Sequence, residues 1–312
     1  MSFLLPFETD RGRLLLQHGD GFFVIGSCFS DAMHSFLIES GHTVLANPFG
    51  TVYHPISLAH SLIAALENSE EVAVLQRDDL YLAWECSGSI WAFSDAELHS
   101  KVLELRQGVR EYLKNASVLV ATFGTAWGYM LQGSTEILGN CHKMPGQNFS
   151  KELNTTEEII SVWNDLLSKI KDLNPGLQFV FTVSPVRHKR DGLVENNRSK
   201  ARLIEAVHSL SYTDGAHYFP AYELLIDHLR DYRFYASDFV HPSPEAEQLI
   251  WQRFEAFVFA NATIALNAQV RALRMEAGHE SLYPESKAER SRKQALEQKI
   301  KALLEANVHV KW

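Results

Sequence analysis

Residues 22–29 read Phe22-Phe23-Val24-Ile25-Gly26-Ser27-Cys28-Phe29, and this stretch decides how the rest of the chain is interpreted. The apolar run predicts a buried β-strand, and the glycine that ends it predicts a turn into a helix. A hydroxyl and a thiol, two nucleophilic side chains, follow directly on the end of that strand. A nucleophile of this kind is one of the three parts of a covalent hydrolase, beside a base and an acid that orients the base.

Four further apolar runs predict buried strands, at residues 43–46, 117–122, 178–183 and 216–219. They lack polar alternation, which is typical of a parallel sheet covered on both faces. Helical patterns lie between the runs, and this alternation predicts a doubly wound α/β domain over residues 15–258. We therefore expect a three-layer α/β/α fold with a five-stranded parallel sheet of flavodoxin-like type.

Local signals predict where several elements begin and end. A helix is expected from residue 156 to residue 173, because Thr156 and a glutamate-rich first turn open it and Asn174-Pro175-Gly176 stops it. Ser243 is expected to cap the next helix, with Pro244 at its first position. Residues 78–93, rich in aromatic and turn residues, are expected to form a hairpin insertion.

The last part of the chain, residues 259–312, shows no strand pattern and is expected to be a helical C-terminal extension. Residues 287–306 form a charged helix with one apolar stripe, made of Leu296, Ile300, Leu303 and Leu304. Three arrangements are open: the extension packs on its own domain, packs on a second copy to form a homo-oligomer, or remains a solvated helix.

The composition narrows the range of functions. The chain of 312 residues has a net charge of −9, 46% hydrophobic residues and 21% charged residues, which is ordinary for a soluble globular protein. The sequence contains no basic stripe that would predict nucleic-acid binding. It also contains no apolar run long enough to predict a membrane span. Residues 1–13 lack the pattern of a signal peptide, and the three cysteines form no CxxC, so a cytoplasmic location is expected. No metal or nucleotide motif is present, and neither a metal nor a cofactor is expected.

A second chemical motif, Asp238-Phe239-Val240-His241, lies about two hundred residues after the first. His241 is the candidate general base, and Asp238 is placed to fix its tautomer. Polar or glycine motifs also follow the other predicted strands, at residues 47–51, 124–127 and 184–188. Because open α/β sheets bind ligands at the carboxyl ends of their strands, these motifs predict one active site at that edge.

The sequence resembles a known family. The strings GSCF at 26–29, NPFGTVYHP at 47–55, FGTAW at 123–127, NCHK at 140–143, SPVRHKRDG at 184–192 and RDYRFYASDFVHPS at 230–243 are similar to those of the GSCFA domain family. That family is grouped with the SGNH, or GDSL-like, hydrolases. The resemblance covers residues 20–258 and implies the same α/β fold and an acyl-transfer chemistry.

The resemblance leaves two candidates for the nucleophile. SGNH enzymes carry Gly-Asp-Ser at the first strand–helix turn, so aligning Gly26 with that glycine puts Cys28 at the serine position. Ser27 remains the alternative if the turn is wound one residue differently. As purely structural roles, Ser27 would be a helix cap and Cys28 a small buried apolar residue. The resemblance also implies that the DxxH of Asp238 and His241 is the catalytic one.

One position departs from the SGNH pattern. Those enzymes stabilise the developing charge with an asparagine in GxND, whereas here the sequence after Gly124 puts Ala126 at the asparagine. A donor of this kind contributes about 2.7–4 kcal/mol in the transition state. The expected replacements and substrate contacts, besides the Cys28 backbone N–H, are Asn47, Gly50, Gly124, Asn140 and His142.

Arg187 and His188, just after the fourth strand, are candidate substrate-binding residues. Arg187 would clamp a carboxylate or phosphate; the alternative is an internal salt bridge with Asp191 or Asp238.

Two functional hypotheses follow. The first is an acyl hydrolase or acyltransferase that acts through a covalent acyl-enzyme on an ester or thioester, including an acylated carbohydrate. The second, motivated by Ala126, is a binding module that kept the fold and lost the chemistry.

Overall fold

Five parallel strands form the central sheet of the computed structural model, which describes residues 5–11 and 13–312. The strands in chain order are β1 Gly21–Gly26, β2 Thr43–Ala46, β3 Val74–Arg77, β4 Leu80–Ala83, β5 Trp91–Ala92, β6 Val118–Phe123, β7 Trp127–Leu131, β8 Phe149–Leu153, β9 Gln178–Val183 and β10 Ala216–Tyr218. The central sheet runs β10-β9-β6-β1-β2, with each neighbouring pair parallel. Counted along the chain, this is the flavodoxin-like order 2-1-3-4-5, so the predicted fold class is confirmed.

Helices connect the strands and cover both faces of the sheet. In chain order they are α1 Cys28–Glu39, α2 Pro55–Leu66, α3 Asp95–Leu113, α4 Thr156–Leu173, α5 Leu193–Leu210, α6 Ala221–Glu223, α7 Pro244–Val258, α8 Asn261–Ala277 and α9 Lys287–Ala306. A π-helical turn, Leu224–His228, continues α6.

The two faces of β1 belong to two apolar cores, because successive side chains of a strand point to opposite sides. Phe23 and Ile25 pack with α2, α3, α4 and α5 on one face. Phe22 and Val24 pack with α1, α7 and the π-helical turn on the other face. Burying one such side chain contributes about 1.5–3 kcal/mol. The continuous apolar run of β1 is therefore explained by its position in the middle of a covered sheet.

The predicted helix starts are confirmed. The Thr155 hydroxyl accepts from the Glu158 N–H (3.2 Å), and the Glu158 carboxylate accepts from the Thr155 N–H (2.7 Å), which forms a capping box at the start of α4. The Ser243 hydroxyl accepts from the Ala246 N–H at 3.3 Å, and Pro244 opens α7. The cap at Ser243 fixes the path of the loop that immediately precedes α7.

Two small antiparallel sheets are inserted between the central strands. The predicted hairpin at 78–93 contains β4 and β5, and β3 joins them as a third strand. A second pair, β7 and β8, follows the turn after β6 and had no clear sequence signal. Trp127 and Tyr129 of β7 and Phe149 of β8 line a pocket of about 340 Å³.

A buried polar network joins α8 to the α/β domain. Burial lowers the pKa of His42 to about 3, and its neutral Nε2–H donates to Asn267 Oδ1 at 2.9 Å. The Asn267 amide and the Arg271 guanidinium both donate to the Glu255 carboxylate, each at 2.9 Å. His42 and Asn267 are fully buried. The first helix of the C-terminal extension therefore packs on its own domain.

Helix α9 packs on α8 and is less buried. Leu296 is buried, whereas Ile300, Leu303 and Leu304 are half-buried. Homo-oligomer formation through this helix stays a prediction. Within the described ranges, no helix combines the length and the apolar character needed to cross a bilayer.

Candidate active site

The turn between β1 and α1 places Ser27 and Cys28 at the carboxyl edge of the sheet. Gly26 has φ of 129°, and a Cβ atom there would lie 2.1 Å from the Thr122 carbonyl oxygen. Only glycine fits this close approach of β1 to β6. Ser27 is extended, and the helix begins at Cys28. Ser27 therefore occupies the cap position without a capping hydrogen bond from its side chain, and Cys28 occupies the first helical position.

Ser27 and Cys28 line a cleft of about 320 Å³. Its walls come from the ends of β1, β6 and β9 and from the loop before α7. Among the lining residues are Tyr53, Gly124, Ser184 and His241, together with the basic run 187–190. The fold thus brings the strand-end motifs of the first, third and fourth central strands to one place, along with the late histidine.

Asp238 and His241 form a hydrogen-bonded pair on the loop before α7. The His241 Nδ1–H donates to Asp238 Oδ2 at 2.7 Å, because an ionised carboxylate only accepts. The other carboxylate oxygen accepts from the backbone N–H groups of Val240 (2.8 Å) and His241 (3.0 Å). The hydrogen bond from His241 is the main reason why the pKa of Asp238 lies well below its usual range. His241 is therefore held in the tautomer that leaves Nε2 as the free proton acceptor.

Arg187 holds this loop from the side of β9. Its guanidinium donates to the Phe239 carbonyl oxygen (3.0 Å) and the Tyr235 hydroxyl (2.9 Å), and it stacks 4.1 Å from the Tyr235 ring centre. Phe239 has φ of 57°, an uncommon conformation for an aromatic residue. Neither of the ion pairs expected for Arg187, with Asp191 or Asp238, occurs in the part of the chain described. A substrate contact by Arg187 stays a prediction.

The two nucleophile candidates have different surroundings. The pKa of the Cys28 thiol is raised above its ordinary value, mainly by burial and then by the charge of Asp31; Lys200 and the backbone N–H groups of Cys28 and Phe29 offset only part of this shift. Cys28 is half-buried and reaches the cleft. Ser27 is 1% exposed, and its hydroxyl has no hydrogen-bond partner among the described residues. Cys28 is the more accessible of the two.

Residues 21–254 match one family model, described as the GSCFA family. That span includes every motif around the cleft. The chain belongs to the GSCFA family.

No curated protein matches this GSCFA chain. Several solved structures are similar to it. One is a carbohydrate esterase family 3 protein from Talaromyces cellulolyticus, with 7% sequence identity and a TM-score of 0.36. The match covers 80% of this chain and 99% of that chain. A family two carbohydrate esterase from Clostridium thermocellum matches with 11% identity, a TM-score of 0.38, and coverage of 82% and 66%. The lipopolysaccharide acetyltransferase periplasmic domain of Salmonella ser. Paratyphi A matches with 11% identity, a TM-score of 0.37, and coverage of 78% and 84%. Similarity at this level establishes neither a substrate nor a mechanism for this GSCFA protein.

Asn47 and Gly50 form hydrogen bonds within the protein behind the nucleophile turn. They were expected to face the substrate. The Asn47 side chain accepts from the Gly26 N–H (2.9 Å) and donates to Asp31 Oδ1 (2.7 Å) and Ser30 Oγ (3.0 Å). The Gly50 N–H donates to the Asn47 carbonyl oxygen at 2.7 Å. Their donors therefore stabilise the turn and the start of α1, and neither residue lines the cleft.

The turn after β6 offers few free donors to a developing oxyanion. The N–H groups of Gly124 and Thr125 donate to the Tyr53 carbonyl oxygen, at 2.9 Å and 3.1 Å. The N–H of Ala126 donates to Ser199 Oγ at 2.7 Å, and Ala126 itself is buried in the apolar core. Gly124 lines the cleft, but its backbone N–H is already bonded to the Tyr53 carbonyl oxygen.

Asn140 and His142 lie outside the cleft, contrary to the expectation that they fold into it. His142 is 3% exposed, and its Nε2–H donates to the Ala83 carbonyl oxygen at 2.9 Å. Asn140 Oδ1 accepts from the His142 N–H at 2.7 Å, so the amide shapes the local turn. Asn140 lines a neighbouring pocket of about 340 Å³ that shares Tyr53 and the residues at 188 and 190 with the cleft.

His188 lines the cleft, as expected from the sequence, and is held by two contacts. Its backbone N–H donates to Asn196 Oδ1 at 2.8 Å, and its Nε2 is 4.0 Å from Asp191 Oδ2. Burial lowers the pKa of His188. The imidazole is therefore mainly neutral, and it forms part of the wall of the cleft.

Lys200, a buried lysine behind the cleft, was missed by the sequence reasoning. Its Nζ donates to the carbonyl oxygens of Gly124 and Ser184, at 2.8 Å and 2.7 Å. The signal was present in the helical spacing: Lys200 falls on the same face of α5 as Leu203 and Val207, both of which are buried. A charged residue on the apolar stripe of a helix is the sequence signal that marks Lys200.

The residues around the cleft do not form a metal centre. Across residues 5–11 and 13–312, no three His, Cys, Asp or Glu side chains are grouped so that they could hold a metal ion.

Proposed function

We propose that this GSCFA protein is an acyl hydrolase or acyltransferase of SGNH type, acting on an ester or thioester through a covalent acyl-enzyme. The observation that carries the proposal is the Asp238–His241 pair, hydrogen-bonded at 2.7 Å, with His241 lining the same cleft as Ser27 and Cys28. A nucleophile, a base and an acid that fixes the tautomer are the parts of the triad template.

In the proposed reaction, Cys28 is the first choice of nucleophile. Its thiol passes a proton to His241 Nε2 as sulfur bonds to the acyl carbon, and His241 then returns that proton to the leaving group. Water, or a hydroxyl of an acceptor such as a sugar, next attacks the acyl-enzyme, with His241 again taking and returning the proton. In the described residues His241 Nε2 has no hydrogen bond to either nucleophile, and such bonds often form only when substrate is bound.

A direct test compares the two nucleophiles. Cys28→Ala and Ser27→Ala would be assayed on short-chain aryl esters and acyl thioesters, with intact-mass detection of an acyl adduct. We expect Cys28→Ala to abolish the adduct and Ser27→Ala to retain it. Cys141→Ala is the matched control, because Cys141 is also half-buried but lies outside the cleft. An adduct that persists in Cys28→Ala and disappears in Ser27→Ala would move the nucleophile to Ser27.

The charge of the cleft favours an anionic substrate. Lys189 and Arg190 are exposed at its rim and make no ion pair with a carboxylate in the part of the chain described, and no acidic side chain lines the cleft there. In a chain of net charge −9, this local excess of positive charge attracts a phosphate or carboxylate on the acyl donor.

We expect Arg190→Gln to lower kcat/KM for an acetyl thioester with an anionic leaving group by about two- to fivefold, because single exposed ion pairs contribute little. The same substitution should leave a neutral acetyl thioester unaffected. Lys293→Gln, on the exposed part of α9, is the control and should change neither rate. Equal losses on both substrates would contradict the charge preference.

The second candidate, a binding module without turnover, is favoured by one observation. The N–H groups of Gly124, Thr125 and Ala126 are all engaged by protein acceptors, so the donor usual in SGNH enzymes has no direct replacement at that turn. A thiol- or serine-directed activity probe separates the candidates. Labelling at residue 27 or 28 that a substrate analogue competes away supports the enzyme, and absence of labelling in the folded protein supports the binding module.

A further inference from the structure

The loop that carries the Asp–His pair, residues 231–243, is hydrogen-bonded to the cleft wall through one residue. Within the described ranges, every hydrogen bond that reaches residues 238–241 from outside this loop comes from Arg187. Its guanidinium donates to the Phe239 carbonyl oxygen (3.0 Å), and its backbone N–H donates to the Val240 carbonyl oxygen (3.2 Å). The other hydrogen bonds of residues 238–241 are made within the loop. Arg187 is therefore the hydrogen-bonded link between the pair and the end of β9.

The guanidinium of Arg187 also binds the first part of the same loop. It donates to the Tyr235 hydroxyl at 2.9 Å. It lies 4.1 Å from the ring centre of Tyr235 and 5.6 Å from that of Tyr232. Hydrogen bonds from a charged donor are stronger than neutral ones, and a guanidinium over an aromatic face adds a cation–π attraction. One planar group therefore joins two separate parts of the loop, a geometry that lysine does not reproduce.

The carbonyl group that Arg187 binds belongs to a residue in an unfavourable backbone conformation. Phe239 has φ of 57°, in the left-handed region that bulky residues rarely adopt. Such conformations persist only where surrounding contacts hold them. Phe239 is 56% exposed, so packing of its ring contributes little to holding it. Because Phe239 lies between Asp238 and His241 in the chain, a change in its backbone would redirect the His241 side chain.

We infer that Arg187 is a positioning residue, which fixes the loop so that His241 lines the same cleft as Cys28. In this role the guanidinium binds the loop and does not clamp an anionic group of the substrate. The inference deepens the proposed function, and its consequence for turnover rests on that function. The conformation of the loop can be measured without any substrate.

A double-mutant cycle tests whether Arg187 acts through His241. In Arg187→Met we expect kcat on an aryl ester or acyl thioester to fall by about 10²-fold at nearly unchanged KM, because a small displacement of a catalytic group causes a loss of this size. In the His241→Ala protein the same substitution should cause little further loss, because the group that Arg187 positions is absent. A raised KM in Arg187→Met would indicate a substrate contact and overturn the inference, as would an equal loss in both backgrounds.

Two further variants make the kinetic result specific. Arg274→Met is the matched control, because Arg274 also donates to a backbone carbonyl oxygen, that of Lys311 at 2.8 Å, and lies 5.4 Å from the Trp312 ring centre. Arg274 does not line the cleft, so its replacement should leave kcat and KM unchanged. Tyr235→Phe keeps the ring but removes the hydroxyl acceptor, and it should lower kcat roughly two- to tenfold. If Arg187→Met does not fold, a wild-type kcat in Tyr235→Phe would contradict the inference.

NMR spectroscopy measures the loop in the absence of substrate. The ¹³Cα and ¹³Cβ shifts of Phe239 report its left-handed φ, and the ring signals of His241 report the surroundings of the imidazole. In Arg187→Met we expect Phe239 to leave the left-handed region and the His241 signals to shift, whereas Arg274→Met should match the wild type. Unchanged signals in folded Arg187→Met would overturn the inference, whether or not the protein hydrolyses esters. If the signals change but no ester or thioester is turned over, the proposed function is wrong and the positioning by Arg187 stands.

Discussion

Replacing His241 by alanine is expected to lower kcat/KM on aryl esters and acyl thioesters by about 10³–10⁴-fold, the range of a positioned general base. The side chain is half-exposed and its only described side-chain partner is Asp238, so the fold should persist. Activity would be measured by release of the leaving group, and the fold by circular dichroism and thermal unfolding. Full activity in folded His241→Ala would exclude the proposed mechanism.

Two companion variants make the His241 result specific. Asp238→Asn keeps a carbonyl oxygen for the backbone N–H groups of Val240 and His241, but it no longer selects the required tautomer. We therefore expect it to lose much of the activity with little change in stability. His279→Ala, an exposed histidine on the C-terminal part, should match the wild type. Equal loss in Asp238→Asn and His279→Ala would indicate a general effect on the protein.

Gly26→Ala is expected to destabilise the protein by about 3–5 kcal/mol, from strain in a left-handed backbone conformation plus a severe overlap. Gly26 has φ of 129°, and the new Cβ would lie 2.1 Å from the Thr122 carbonyl oxygen. That oxygen belongs to β6, which pairs with β1 at this position, so the backbone has little room to move. We expect the melting temperature to fall by roughly 10 °C.

Gly108→Ala is the matched control for this substitution. Gly108 is in the interior of α3, and a Cβ atom there would meet nothing within 4 Å. The change should stabilise the protein by about 0.5–1 kcal/mol, because glycine loses more backbone entropy in a helix than alanine does. Melting of Gly26→Ala at or above the wild-type temperature would contradict the role assigned to the turn.

Much of the candidate site could be predicted because its residues lie at strand ends. Ser27, Cys28 and His188 follow strands of one parallel sheet, and His241 directly precedes a helix with a strong start signal at Ser243 and Pro244. Parallel strands share one carboxyl edge, so these residues meet once the sheet forms.

Other predicted residues make contacts different from those expected, because hydrogen-bond partners from distant segments decide where their polar groups point. The Asn47 side chain bonds Gly26 and Asp31, and the His142 ring is turned toward Ala83 on β4. The Arg187 guanidinium bonds the loop at Tyr235 and Phe239 instead of a carboxylate. None of these partners could be identified from sequence spacing, because loops reach them only after the inserted sheets and the loop before α7 have packed.

The sequence by itself determined the order of the elements, the parallel sheet, the turn at Gly26 and the starts of α4 and α7. Apolar periodicity, caps and glycine conformation are local properties, and each acts within a few residues. Only the tertiary structure decided that Lys200 lies behind the floor of the cleft, since its hydrogen bonds join α5 to the turns after β6 and β9 through the carbonyl oxygens of Gly124 and Ser184. Burial strengthens these hydrogen bonds, because water no longer competes for the amino group and the two carbonyl oxygens.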